Sequence, residues 1–230
     1  MNEHILIVDD ERELAELVSL YLTNAGFRTS VCTDGASALA LVRRETPDLA
    51  LLDVMLPDMS GFDICREIRR DHFFPIIMLT AKIEDNDKIL GLTLGADDYI
   101  TKPFNPLEVV ARVRTQLRRA STYNHAVAPE SAEEIDIRGL VINRAAHSCS
   151  LYGEQIALTP LEFEILWYLA SNQGRVVPSE ELFEAVWQEK YFKSNNTVMS
   201  HIGRLRDKLH EPPKQPKFIK TVWGIGYEIE

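Results

Sequence analysis

Leu49-Ala50-Leu51-Leu52-Asp53 is the stretch that most narrows what this chain can become. Its apolar run leaves no polar face, a pattern expected of a strand covered on both sides in the middle of a parallel sheet. The run closes on a carboxylate, and Pro57 prevents the strand from continuing. In open α/β sheets ligands gather beyond the carboxyl ends of the strands. Asp53 is therefore a candidate nucleophile or metal ligand.

The segments around it alternate in the same style. Ile5–Val8, Arg28–Cys32, Asp48–Asp53, Pro75–Thr80 and Tyr99–Thr101 read as strands. Between them lie a segment with Leu14, Leu17, Val18, Tyr21 and Leu22 at helical spacing, then Ala36–Arg44, Ser60–Arg70 and Asp85–Leu94. A last helix opens at Asn105-Pro106, with Asn105 as cap and Pro106 in the first turn. Five β/α repeats of this kind predict an α/β fold, a (βα)5 doubly wound, flavodoxin-like parallel sheet, over residues 1–120. Residues 121–134 show no apolar period and read as a flexible linker. Residues 135–230 begin with four short strand-like runs. Helices at Thr159-Pro160-Leu161-Glu162 (a capping box), Ser179–Trp187 and Asn195–Leu209 follow, and a hairpin spans Phe218–Ile229. Three helices and a β-ribbon suggest a winged helix-turn-helix domain.

No apolar run approaches the ~18 residues needed to span a membrane, and the N-terminus lacks a basic and apolar signal region. Three scattered cysteines, Cys32, Cys65 and Cys149, argue for a reducing cytoplasm and against disulfides or a zinc site. A net charge of −10 makes the chain as a whole a poor general nucleic-acid binder. The window Ser194–Lys220 differs, with six bases against two acids, so phosphate contacts are expected from there.

Asp9 and Asp10 follow directly on the first strand. If the first and third strands are neighbours, both lie beside Asp53. Three carboxylates at one place repel and call for a cation, and an all-oxygen set suits Mg²⁺. Thr80, ending the fourth strand, brings a hydroxyl, and Lys102, ending the fifth, brings an ammonium. Both can reach the oxygens of a phosphoryl group delivered to Asp53. Taken singly these residues have ordinary readings: a helix cap, a turn, a surface lysine. Their joint fall at the carboxyl ends of four strands argues otherwise.

Ile7-Val8-Asp9-Asp10-Glu11, Leu52-Asp53-Val54-Met55-Leu56-Pro57, Leu79-Thr80-Ala81-Lys82, Gly95-Ala96-Asp97-Asp98-Tyr99 and Lys102-Pro103-Phe104 resemble the receiver signature of two-component response regulators. The resemblance implies that Asp53 is the phospho-acceptor and that Asp9, Asp10, Asp53 and the Met55 backbone carbonyl hold Mg²⁺. It implies that Thr80 and Tyr99 act as the switch, and that the Lys102–Pro103 peptide bond is cis. Phosphate would come from a sensor histidine kinase. In the OmpR/PhoB subfamily, which the chain also resembles, the pattern implies a homodimer on phosphorylation. Its cross-interface pairs would be Lys88–Glu108, Asp98–Arg112 and Asp97–Arg119.

In the third helix of the second half, Val198, Ile202, Leu205 and Leu209 form an apolar seam. Asn196, Thr197, Ser200, His201 and Arg204 lie off it as candidate readers of base edges, with Lys208 as a phosphate contact. Leu158 to Leu166, Val198 to Leu209 and Thr221-Val222-Trp223-Gly224-Ile225-Gly226-Tyr227 resemble the winged-helix effector domain of the same subfamily. That places the helix in the major groove and the wing, with Trp223 and Tyr227, in the minor groove. Many members carry Arg where this chain has Gly203 and Trp223. Lys193 to Thr197 and Ile219 to Gly224 further resemble regulators of vancomycin resistance, implying control of cell-wall or glycopeptide-resistance genes. The expectation is a cytoplasmic transcription factor, not an enzyme, with promoter DNA and RNA polymerase as partners. A phosphorylation-independent regulator is one alternative. A Mg²⁺-dependent aspartyl-phosphate phosphatase is disfavoured, since the second Asp it needs is replaced by Met55.

Overall fold

In the computed structural model, residues 3–81, 95–124, 134–187, 197–212 and 215–230 are described, with residues 119 and 121–124 described as backbone only. The expected helix Asp85–Leu94, and with it Lys88, lies outside these residues, as do Asn195, Asn196 and positions 125–133 of the expected linker. The chain divides into two compact units, Met1–Ser121 and Thr122–Glu230.

The first unit holds strands β1 (His4–Val8), β2 (Arg28–Cys32), β3 (Leu49–Asp53), β4 (Ile76–Ala81) and β5 (Asp98–Lys102). They form one parallel sheet in the order β2-β1-β3-β4-β5. Helices α1 (Arg12–Asn24), α2 (Gly35–Arg44), α3 (Gly61–Ile68) and α4 (Pro106–Asn124) accompany it. Strand alternation sorts the apolar side chains into two cores. Ile5, Ile7, Leu49, Leu51, Ile77 and Leu79 pack with Val18 and Leu22 of α1 and Val109 and Val113 of α4. Leu6, Val8, Ala50, Leu52, Ile76 and Met78 pack with Ala38 of α2 and Ile64 and Ile68 of α3. Every residue of β3 is buried, as its composition requires.

Two local expectations need correction. The inward face of α1 is Ala15, Val18 and Leu22, whereas Leu17 and Tyr21 are exposed. Helix α4 continues through residues 121–124, which the sequence pattern assigns to the linker.

The second unit opens with an antiparallel sheet of β6 (Glu134–Ile137), β7 (Leu140–Asn143), β8 (Ser148–Leu151) and β9 (Glu154–Gln155), paired in that order. Helices α5 (Pro160–Ser171), α6 (Ser179–Trp187) and α7 (Thr197–Lys208) follow. Strands β10 (Val177–Pro178), β11 (Ile219–Val222) and β12 (Gly226–Ile229) form a second sheet in the order β10-β12-β11. The capping box of α5 is complete: Thr159 Oγ1 accepts from the Glu162 N–H, and Glu162 accepts from the Thr159 N–H. Gly226 is required where β12 meets β10, because a Cβ there would lie 2.0 Å from the Val177 carbonyl oxygen.

Candidate functional site

Strand register assembles the acidic pocket. Val8 pairs with Leu52, so Asp9 emerges beside Asp53. Asp53 pairs with Leu79, and Thr80 with Thr101, so the carboxyl ends of β1, β3, β4 and β5 finish together. Carboxylate oxygens of Asp9, Asp10 and Asp53 lie within 4.8 Å of one another. Asp10 is exposed and does not cap α1, whose N-cap position is Glu11. Lys102 crosses from β5 and places Nζ 2.7 Å from Asp53 Oδ2, 2.8 Å from Asp9 Oδ2 and 3.3 Å from Glu11 Oε1. Burial opposes the charge on Lys102, but its hydrogen bonds and attraction to Asp53 and Asp9 prevail and raise its pKa. Burial pushes the Asp9 carboxyl above the usual aspartate range, only partly countered by Lys102. The Lys102–Pro103 bond is cis.

The pocket fits a divalent cation. One ammonium contacts Asp9, Asp53 and Glu11, and Asp10 adds a fourth carboxylate to the cluster, leaving surplus negative charge. Asp9 Oδ2 is buried, and the cation beside it is the Lys102 ammonium at 2.8 Å, which it shares with Asp53. The donors are all oxygens, the preference of Mg²⁺. Thr80 is buried and its hydroxyl donates to the Ala81 carbonyl at 2.9 Å. Tyr99 is partly buried against the core that contains Leu52 and Met78.

Two supporting residues, Gly61 and Asp58, escape a reading of motifs, and a third, Glu11, gains a role at the pocket. Gly61 opens α3 where a Cβ would sit 2.0 Å from the Asp53 carbonyl oxygen, so only glycine admits that approach. Asp58 accepts from the Gly35 and Ala36 N–H groups at 2.9 and 3.0 Å, tying the loop after Asp53 to the start of α2. Those backbone donors hold the Asp58 carboxyl below the usual range. Glu11 joins the Lys102 cluster. A Gly at a helix start and an Asp in a loop send no distinctive signal in one sequence.

The charged stripe expected to bridge two copies is partly satisfied within one chain. Arg112 binds Asp98 at 3.0 Å and Glu108 at 3.1 Å. The Asp98–Arg112 pair is thus internal to one chain. Asp97 is 1% exposed and accepts from Arg69 at 2.7 Å and from the Ile76 N–H at 2.8 Å. Arg69 also donates to the carbonyls of Gly95 and Phe74, making it an internal clamp that the sequence reading lacks. Asp97 therefore belongs to that clamp rather than to an open stripe. Of Arg119 only the backbone is described.

The second unit corrects the expected reading face of α7. Thr197, Ser200 and His201 are buried with the apolar seam, and the His201 ring packs against Trp187. Arg204 approaches Glu162 at 3.8 Å and donates to the His201 ring. Lys208 binds Glu162 at 2.7 Å and the Ala157 carbonyl at 2.9 Å. Burial of Glu162 favours its neutral form, yet Lys208 and Arg204 overcome this and lower its pKa. Tyr227 is buried in the core of the unit. The exposed stripe instead carries Met199, Asp207 and His210, with Gly203 half-buried beside them. Trp223, at the ribbon tip, is 90% exposed. Arg206 donates to the Ile219 carbonyl and to Thr221 Oγ1, locking the ribbon to α7.

Among the described residues no helix is long and apolar enough to cross a membrane. The response regulator receiver domain model matches residues 5–114, and the model of the transcriptional regulatory protein C-terminal domain matches residues 153–229. The chain is 60% identical to Regulatory protein VanRc of Enterococcus gallinarum, over 100% of both chains. It is 51% identical to Regulatory protein VanR of Enterococcus faecium, again over 100% of both. The crystal structure of response regulator DrrB, a Thermotoga maritima OmpR/PhoB homolog, is 36% identical with a TM-score of 0.52, covering 100% of this chain and 99% of that one. Pocket, fold and full-length likeness agree, and the chain belongs to the OmpR/PhoB family of two-component response regulators, joining a receiver domain to a DNA-binding one.

Proposed function

We propose that Asp53 is the phospho-acceptor of a cytoplasmic transcription factor whose partner is a sensor histidine kinase. The observation that carries this is the convergence of Asp9, Asp10, Asp53 and Lys102 at one sheet edge, with the buried Thr80 hydroxyl ending the neighbouring strand. An Asp53 carboxylate oxygen attacks phosphorus in line. The P–O bond of the new acyl phosphate forms as the P–N bond of a phosphohistidine breaks, and the imidazole keeps the electron pair and takes up a proton. Lys102 exchanges its contact with the Asp53 carboxylate for one with the phosphoryl oxygens. Asp9, Asp10, Asp53 and the Met55 carbonyl would hold Mg²⁺, which screens the carboxylates and draws charge from the transferring group. The Thr80 hydroxyl gains a stronger acceptor than the Ala81 carbonyl, and Tyr99 moves with it.

The protein changes state once per phosphoryl group, so its role is a switch rather than an enzyme. The modified receiver favours a homodimer through the face carrying Glu108 and Arg112, with Lys88 and Arg119 completing it. Residues 1–120 then serve as receiver, 121–134 as connector and 135–230 as effector. The effector grips promoter DNA and meets RNA polymerase there; likeness to VanR regulators favours resistance genes as targets. Acetyl phosphate carrying labelled phosphorus should label the wild-type chain and leave Asp53→Asn unlabelled. Undiminished labelling of that variant would move the acceptor elsewhere.

A further inference from the structure

The ribbon tip is unusual for a DNA-facing element. Trp223 is 90% exposed and Ile225, two residues on, is 56% exposed, with Gly224 between them at φ +75°. Two large apolar side chains exposed together at one tip form a small patch, and contiguous exposed apolar surface is what marks interaction sites. The root of the ribbon is fixed, not loose. Gly226 packs against β10, the Ser179 N–H donates to the Ile225 carbonyl, and Arg206 bonds both the Ile219 carbonyl and Thr221. Trp223 is thus held out rigidly from the same body that presents α7.

The charge around it sharpens the point. Arg204 and Lys208 are engaged by Glu162, and Lys220 by Glu230. The exposed stripe of α7 offers Met199 and Asp207, with Gly203 beside them, rather than cations. Three cations of the base-rich window Ser194–Lys220, Arg204, Lys208 and Lys220, are thus shared with carboxylates before any phosphate is met. Apolar insertion is the other way to hold a groove, since wedge side chains part a base step and kink the duplex.

We infer that Trp223, backed by Ile225, is an apolar wedge that enters the minor groove of duplex DNA beside the site read by α7. This rests on the effector being DNA-binding. The wedge contributes affinity that salt barely screens and selects flexible pyrimidine–purine steps, which part at least cost. It makes Trp223 a determinant of specificity at positions that no hydrogen bond reads. A protein surface could also cover an exposed tryptophan. The Arg206 bonds that make the ribbon one body with α7 favour DNA.

The test uses the full-length chain, treated with beryllofluoride and Mg²⁺, and duplexes enriched by it from a random-sequence pool. Trp223→Ala should bind those duplexes roughly 5- to 150-fold more weakly, the range that loss of one base-stacking contact spans. Its slope of log affinity against log salt should match wild type. Trp223→Arg should regain affinity at low salt with the slope steeper by about one. Trp223→Phe should keep most of the affinity. Pools enriched by wild type, but not by Trp223→Ala, should show TA or CA/TG steps at a fixed distance from the core site. Trp167 and Trp187 are buried, so quenching on DNA addition that is absent in Trp223→Phe reports the wedge. Wild-type affinity and step preference in Trp223→Ala would overturn the wedge while leaving DNA binding intact. Loss of self-association in that variant with DNA binding unchanged would assign the tip to a protein contact and overturn it too. Failure of the wild-type chain to enrich any duplex would sink the DNA-binding reading itself, and the wedge with it.

Discussion

Lys102 and Lys208 make the same contact in two different settings. Each places Nζ 2.7 Å from a carboxylate that is almost fully buried, Asp53 in the first unit and Glu162 in the second. Around Asp53 the remaining neighbours are acids, Asp9, Asp10 and Glu11. Around Glu162 the remaining neighbour is a cation, Arg204. The first cluster carries surplus negative charge and invites an external cation. The second is compensated internally and fastens α7 to the start of α5. A lysine on a buried carboxylate is therefore no mark of function by itself; the sign of what surrounds the pair decides.

That contrast can be broken most forcefully at Glu162. Glu162→Ala leaves two cations without their carboxylate and should destabilise the second unit by about 3–5 kcal/mol. All three tryptophans lie in that unit, so denaturant unfolding followed by tryptophan emission measures it directly. A loss below about 1 kcal/mol would show that the cluster is not a fastening. Mg²⁺ at a hundredfold excess over its Kd should stabilise the first unit by about 2.7 kcal/mol. The tryptophan-reported transition should stay put, and an equal shift in both units would erase the distinction. Gly61→Ala should cost the first unit about 1–3 kcal/mol, because the added methyl must push the Asp53 carbonyl away. Hydrogen exchange at β3 would read it. Arg112→Ala, at a partly solvated pair, should cost under about 1 kcal/mol while impairing dimers of the phosphorylated form in sedimentation.

Acid separates the two clusters by sign. Glu162 has a lowered pKa, so its contribution is present above the ordinary glutamate value of 4.5 and is lost as pH falls through the lower folded value. Asp9 has a raised pKa, so its contribution is present below the ordinary aspartate value of 3.8 and is lost as pH rises through the higher folded one. Acidification should therefore weaken the second unit through Glu162 and relieve the first through Asp9. Asp9→Asn and Glu162→Gln, compared across the acid range by thermal unfolding of each unit, should each remove its own slope.

The sheet was legible because β-strands have few freedoms. Alternation and a run of apolar residues dictate which side chains point inward, and register then carries Asp9, Thr80 and Lys102 to the edge with Asp53. Helices were harder. On α1 the small Ala15 faces the core and the larger Leu17 and Tyr21 face out, so weighing residues by size rotates the inferred face. On α7 the seam of Val198, Ile202 and Leu205 was correct, yet the polar residues beside it are buried as well. A helix packed on more than one side hides Thr, Ser and His, and nothing in their identity announces that they are covered. Asp97 and Asp98 show the same limit at shorter range. Adjacent in sequence, one is clamped inward by Arg69 and the other meets Arg112.

Asp58 carries a consequence for exchanging parts between relatives. Because it fastens the loop after Asp53 to the backbone of Gly35 and Ala36, that loop and the start of α2 form one inherited module. A transplant of residues 54–60 alone into another receiver would arrive without its anchorage, and the backbone after Asp53 would lose its tie to α2. The smallest portable piece is the loop together with the helix entrance that it grips.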